Sequence, residues 1–195
     1  GAVILLVLIL VSIFADALAP FRFGEMNLDN RLADPSNQHP LGTDHLGRDF
    51  MSRLIHGARL SLFVGLTATT LHVLVAALIG GTAGFLGGRF DLVVQRFVDA
   101  WMAIPGLLLL LTIMSLTGPG LVQIILVLGI SSGITNSRVV RSAVIAIKEN
   151  DYFQAARAVG ASKSRIFFRH VLPNIMPPII IIFSITLGAI IVAEA

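Results

Sequence analysis

The chain predicts an all-α fold, a polytopic bundle of transmembrane helices, on three observations. First, 55% of its 195 residues are apolar and 13% are charged, against about 25% charged in an ordinary soluble domain. Mean hydropathy is +0.88. Second, Leu60–Gly88 and Ala100–Ser137 contain no Lys, Arg, Asp or Glu. Lipid tolerates that much apolar surface, whereas a soluble core of this size cannot enclose it. Third, a polar, basic stretch, Asp151–Pro173, lies between two apolar segments and reads as two short helices joined by a glycine.

Each element follows in order. Gly1–Ala15 is apolar but makes only about 22 Å of helix, short of the hydrocarbon core of about 30 Å. Polarity begins at Asp16, and residues 1–18 read as a first transmembrane helix lacking a turn at its N-terminal end. A signal peptide is the alternative, disfavoured by the missing basic n-region and the poor cleavage site around Ala19–Phe23. Residues 19–58 read as an extracytoplasmic segment. Asp16–Pro40 is loop, and from Thr43 the residues Leu46, Phe50, Leu54 and Ala58 recur every four positions, predicting an amphipathic surface helix.

Leu60–Gly88 is long enough to cross with tilt, and its small residues, among them Gly65, Gly80, Gly81 and Gly84, suit close helix packing in lipid. Ala100–Ser137 is too long for one span. Gly118-Pro119-Gly120 divides it into Trp101–Thr117 and Leu121–Thr135, because proline followed by glycine makes a tight turn. A last span starts near Asn174 and reaches the end. That makes about five spans of an expected six, with residues 59–195 as the main transmembrane domain and 138–173 as its cytoplasmic loop.

Orientation rests on basic residues. Arg138–His170 holds Arg138, Arg141, Lys148, Arg157, Lys163, Arg165 and Arg169 against Glu149 and Asp151, which points this loop and the earlier Arg89/Arg96 loop to the cytoplasm. The formal charge of +3 comes from these scattered loop residues, so nucleic acid is not an expected partner. With no cysteine there is no disulfide or cysteine metal site.

Within the basic loop, Asn150 or Asp151 can cap a helix whose Phe153, Ala156 and Val159 form one narrow apolar ridge. Gly160 supplies a left-handed end. Ser162 can cap a second helix from Lys163 to about Val171, with Ile166, Phe167 and His170 on a face distinct from its basic residues, and Pro173 stops it. On pattern alone this is a topology-fixing hairpin that touches lipid headgroups.

The stretch QAARAVGASKSRIFFRHVLPN resembles the cytoplasmic loop of ATP-binding-cassette importer permeases, where E-A-A is followed by glycine and later by leucine-proline. Ala155, Ala156, Gly160, Leu172 and Pro173 occupy those positions. Gln154 stands where glutamate is usual and His170 where isoleucine is usual. HPLGTDHLGRDFMSRLIHGARLSL, His39–Leu62, resembles the C-type permeases of dipeptide, oligopeptide and nickel importers, and VDAWMAIPGLLLLL and VAEA fit them too. Those relatives usually carry aromatics near Ser131–Asn136, where SSGITN has none.

The resemblance implies the type-1 permease fold. It also implies a second homologous permease, two ATPase subunits holding ATP and Mg, and an extracytoplasmic solute-binding protein, in a bacterial or archaeal plasma membrane. Gln154–Val159 would seat in a cleft of one ATPase and pass its movement to the spans. The chain itself has no G-x-x-x-x-G-K-[ST] and is not expected to be an enzyme or to bind a cofactor. Nickel or another small solute is the alternative cargo. An ion-coupled secondary transporter or a membrane scaffold is the alternative class.

Single residues are weighed on the same terms. Glu194, deep in an apolar run, and Asp99, at the start of a span, are candidates for the transport pathway, with a capping or salt-bridge role as the alternative for Asp99. His72 reads as a neutral packing histidine hydrogen-bonded between helices, and Trp101 as part of an interfacial aromatic belt. His39, His45 and His56 match no metal-ligand spacing. Ser61, Ser115 and Ser131 have no accompanying base for nucleophilic catalysis.

Overall fold

The computed structural model describes residues 2–194, the side chains of residues 2, 4, 5 and 194 excepted. Among the described residues the secondary structure is helical: α1 Ala2–Ile13, α2 Ala15–Leu18, α3 Phe50–Leu86, α4 Gly88–Met102, α5 Gly106–Thr117, α6 Leu121–Lys148, α7 Asp151–Ala158, α8 Lys163–Ile166 and α9 Leu172–Glu194. A 3-10 turn at Leu28–Asn30 and a π-helical turn at Phe167–Val171 complete them. The chain divides into two compact units, Gly1–Phe63 and Val64–Glu194.

Five spans were expected; three described helical stretches, Phe50–Leu86, Leu121–Lys148 and Lys163–Ala193, are long and apolar enough to cross a membrane, and a fourth is broken. The helix expected over Trp101–Thr117 is instead α4 and α5, bent by 73°. Pro105 is the cause: it has no amide hydrogen and pushes the residue before it out of helical geometry. At 12 residues, α1 makes only about 18 Å of helix.

In the first unit, the amphipathic helix expected from Thr43 starts only at Phe50. Phe50 and Leu54 are exposed, while Ser52 and Ile55 are buried. Leu46 lies in a turn built around Asp44. The Asp44 carboxylate accepts the Leu46 and Arg48 amides at 2.8 and 3.0 Å and pairs with the guanidinium groups of Arg48 and Arg53 at 2.8 and 2.7 Å. Asp49 caps α3 by accepting the Ser52 amide at 2.7 Å, and its other oxygen meets His39 Nδ1 at 3.0 Å. Gly47, at φ +72°, lies so close to Asn27 that an added Cβ would stand 1.7 Å from its carbonyl oxygen. HPLGTDHLGRD is thus a hydrogen-bonded knot that replaces the first turns of the expected helix.

Desolvation pushes both carboxyls upward, but the amides and cations around them outweigh it, and each titrates below its ordinary value. A depressed folded-state value adds stability that is present above the ordinary carboxylate range and is lost as pH falls through and below it. Limited proteolysis of this segment is therefore expected to be slow at neutral pH and to accelerate below about pH 4. Asp44→Asn is expected to accelerate it at pH 7 and flatten that profile; an unchanged profile would contradict the role given to Asp44.

In the second unit α3 and α6 meet through glycines on both helices. A Cβ on Gly80 would lie 2.0 Å from the Ser137 carbonyl oxygen, and one on Gly84 would lie 2.9 Å from that of Arg141. In return, Gly129 and Gly133 would approach the Ala68 and His72 carbonyl oxygens at 3.0 and 2.8 Å. Two G-x-x-x-G pairs therefore bring backbone against backbone, the packing small residues permit in lipid. His72 is fully buried there, yet neither ring nitrogen has a hydrogen-bond partner among the described residues, contrary to expectation. Its neighbour across the contact, Gly133, has no side chain with which to reach the ring. Asp91 on α4 grips Arg141 on α6 through two bonds of 2.6 Å. A core of Ala76, Val140, Val144, Ile147, Phe153, Ile166, Val171, Ile175, Ile179 and Ile182 joins α3, α6, α7, α8 and α9.

Candidate coupling surface

The candidate surface is built on the end of α6. Lys148, in its last turn, donates to the carbonyls of Gly84 and Phe85 at 2.9 and 3.0 Å, closing the end of α3 with a positive charge where the helix dipole favours one. Two residues later α7 begins. The Asn150 main-chain carbonyl accepts the amides of Phe153 and Gln154. Its side chain does not cap α7 as expected; its amide nitrogen turns back to the Ala146 and Ile147 carbonyls at 3.3 Å.

Gln154 Nε2 donates to the Lys148 carbonyl at 2.8 Å. A glutamate carboxylate could only accept, so at this position the glutamine makes a helix-end bond that an ionised glutamate could not. Phe153 is buried in the core and Ala156 half-buried, but Val159 is 88% exposed, which splits the single ridge expected from the three. The split follows from the helix end: Val159 is the residue after α7, already outside its helical register. Burial of Phe153 is worth about 1.5–3 kcal/mol and anchors α7 while Gln154, Ala155, Arg157 and Ala158 project around it, all four exposed.

Gly160 ends α7 with φ +78°. Its amide bonds the Arg157 carbonyl at 3.0 Å, and the Ala161 amide bonds that of Ala156 at 3.1 Å. That is a Schellman ending, whose left-handed residue is the one sequence reading placed there. Ser162 caps α8 by accepting the Arg165 amide at 3.3 Å.

Pro173 does not stop the next helix. From Lys163 to Ala193 the chain is one continuous 31-residue stretch that passes through the π-helical turn. The Leu172 amide reaches back five residues to Phe167, and this wider turn accommodates the proline that follows. Asn174 Nδ2 then covers the His170 carbonyl at 2.6 Å. Leu172 is half-buried at this junction and Pro173 exposed. Between α7, α8 and the end of α3 lies a groove of about 400 Å³ in which Lys148, Arg157 and Lys163 stand over Phe85, Phe153 and Ile166.

The two pathway candidates fall elsewhere. Asp99 is exposed and pairs with Arg138 of α6 and, at 3.5 Å, with Arg96. The side chain of Glu194 lies outside the described residues. Trp101 does not face outward as a belt residue; it is half-buried, and its Nε1 donates to Ser131 Oγ at 3.3 Å. His39 is taken by Asp49, and His56 lies edge-on to Phe23. Among the described residues no three His, Cys, Asp or Glu side chains gather as for a metal ion. Sequence reading missed the helix-capping role of Lys148, the Asp91–Arg141 pair and the broken span. The Pro105-Gly106 dipeptide was the available sign of the last.

The arrangement is built around α7. It is a short exposed helix, pinned by one buried aromatic and one amide bond to the end of α6 and joined through a glycine to the continuous helix that becomes α9. A load on α7 is thereby carried into two membrane-length helices. These features define a multi-pass helical membrane protein with a short exposed helix at the end of α6.

The chain belongs to the family of binding-protein-dependent transport system inner membrane components, whose model matches residues 46–195. It is 36% identical over its whole length to the oligopeptide transport system permease protein OppC of Bacillus subtilis (strain 168), covering 64% of that protein. To the dipeptide transport system permease protein DppC of Alkalihalophilus pseudofirmus it is 37% identical, again over the whole chain and 64% of the relative. The di/tripeptide permease DppC of Pseudomonas aeruginosa is 36% identical, with 66% of its length covered. The chain thus spans slightly less than two thirds of the length of these relatives.

Proposed function

We propose that this chain is a permease subunit of an ATP-driven importer and carries di- or oligopeptides across a bacterial plasma membrane. The observation that carries the proposal is the exposed α7, with Gln154, Ala155 and Ala156 at its centre and Gly160 closing it, at the end of a membrane-length helix. Its relatives are named as oligopeptide, dipeptide and di/tripeptide transport permeases, which supports peptide as cargo.

In this reading a second permease completes the pathway and a solute-binding protein delivers peptide from outside. Two ATPase subunits, holding ATP and Mg, drive the cycle from the cytoplasmic side. Residues Gln154, Ala155, Ala156, Gly160, Leu172 and Pro173 form or support the contact with one ATPase. ATPase closure moves α7, and differential contact with the two nucleotide states biases the inward/outward equilibrium. Glu194 and Asp99 remain proposed pathway residues, Asp99 sharing its carboxylate with Arg138 and Arg96.

The test is the complex purified with the products of neighbouring genes and reconstituted in vesicles. Peptide-loaded binding protein is expected to stimulate ATP hydrolysis several-fold and to support uptake that stops on ATP depletion. Uptake that continues without ATP would exclude the importer.

A further inference from the structure

The break between α4 and α5 interrupts an apolar stretch that is long enough to span only when the two helices are taken together. The amides of Gly106, Leu107 and Leu108 have no hydrogen-bond partner among the described residues, and neither do the carbonyls of Met102, Ala103 and Ile104. All six residues are exposed. The 12 residues of α5 separate the break from the Gly118-Pro119-Gly120 turn by about 18 Å of helix, well short of a hydrocarbon core of about 30 Å. Within the hydrocarbon region, irregular backbone persists only where protein or a water-filled cavity satisfies it.

Four polar side chains of α6 line the pocket at the break, together with the apolar Met102, Ile104 and Pro105. The stretch of α6 that expectation marked as lacking aromatics supplies Ser131, Ser132, Thr135 and Asn136, and these line an open pocket of about 330 Å³ with Trp101 and the break itself. Ser132 lies about 17 Å along α6 from its start, so the two helices bring these groups together at similar depth. Trp101 Nε1 is used on Ser131, and Thr135 Oγ1 and Asn136 Nδ2 are used on α6 carbonyls. Ser132 Oγ and Asn136 Oδ1 make no hydrogen bond among the described residues. No lining side chain is ionisable.

We propose that this pocket is a water-facing stretch of the substrate pathway. There the free backbone groups of the break, with Ser132 and Asn136, exchange hydrogen bonds with main-chain amides of a passing peptide. The inference rests on the transport reading above and names where in this chain the cargo is met. A lining of neutral donors and acceptors suits uncharged peptide units, because each weak bond can be released as the next forms. Ser132 and Asn136 act as specificity-determining residues, and Trp101 as a positioning residue that orients Ser131.

The chain's lack of cysteine makes the test direct. Single substitutions Ser132→Cys, Ile104→Cys, Leu111→Cys and Ile181→Cys are made in the assembled transporter. Each is treated in vesicles with the water-soluble methanethiosulfonate ethyltrimethylammonium, using the complex without added cysteine as blank. Cysteine at 132 and 104 is expected to react at least about tenfold faster than at 111 and 181, and trialanine is expected to slow that reaction. Asn136→Leu is expected to raise KM for trialanine about tenfold, the effect of one lost hydrogen bond of ordinary strength.

Labelling at 132 and 104 as slow as at the controls, or an unaltered KM in Asn136→Leu, would overturn the inference. ATP-driven trialanine uptake by the parent complex is measured first. Its absence counts against the transport reading, whereas the labelling rates are read without any transport.

Discussion

Gly80→Val is expected to abolish stable assembly of the second unit. A Cβ at position 80 would meet the Ser137 carbonyl oxygen at 2.0 Å and the Arg141 amide nitrogen at 2.9 Å. Both are backbone atoms of α6, so no rotamer change relieves the contact and the helices must separate. Separation would open the paired approach of Gly129 and Gly133 to α3 as well, because the four glycines line one contact. Overpacking at a site where neighbours can shift costs about 1–3 kcal/mol. Here the neighbour is a helix backbone, and the expected loss is on the order of 3 kcal/mol or more, a large part of the stability of a typical domain. The check is the yield and Tm of the detergent-solubilised protein. Gly188→Ala, where an added Cβ meets nothing within 4 Å, should leave both unchanged or slightly improved. A parent-like Tm in Gly80→Val would mean that α3 and α6 do not pack through this face.

Much of this fold was legible because it is written in charge gaps and glycines. A charge-free run of helix-forming residues has few alternatives, and α3, α6 and α9 follow from such runs. Gly160 was legible for a local reason: a glycine after a short helical pattern and before a serine cap admits one common geometry. The glycines at 129 and 133 were not singled out, since their role depends on which helix lies opposite, and that is tertiary information.

The errors share a cause of another kind. Leu46, Phe50 and Leu54 fall on one face of a surface helix by a period of four, and that period takes no account of side-chain hydrogen bonds to the backbone. In the structure the carboxylates of Asp44 and Asp49 bind amides and cations more effectively than a helical turn would, and the segment folds around them. Pro105 and Pro173 show the converse. Each is a helix breaker by the same rule, yet the chain breaks at Pro105 and continues through Pro173. A π-helical turn precedes Pro173 and none precedes Pro105, and within that turn Val171 is buried in the core and Phe167 packs against it. At the candidate surface, the identities of the exposed residues were legible and their bonds were not. Gln154 read as keeping the length and hydrogen-bonding reach of glutamate without its charge, and its amide donates to the Lys148 carbonyl.

The second large effect is functional and falls on Gly160. At φ +78° an L-residue with a branched Cβ is strongly disfavoured, by more than the roughly 1–2 kcal/mol that left-handed geometry costs an ordinary side chain. Nothing lies within 4 Å of an added Cβ, so Gly160→Val creates no clash and its cost is purely conformational. The chain can recover that cost by giving up the Schellman bonds from Gly160 to Arg157 and from Ala161 to Ala156. α7 then loses its fixed angle to α8 while Phe153 keeps it attached to the core. A 1.4 kcal/mol bias changes the population of the fixed geometry tenfold, so at least about a tenfold drop in peptide uptake is expected, with membrane insertion and Tm close to parent. ATP hydrolysis should persist but respond less to loaded binding protein, since the motor still turns and its load is no longer rigidly held. Gly160→Asn separates strain from bulk, because asparagine tolerates left-handed geometry better than other residues with a Cβ; it should fall between parent and valine. Equal loss in both variants would point to a contact made by the glycine surface itself, and full uptake in Gly160→Val would remove α7 from the coupling path.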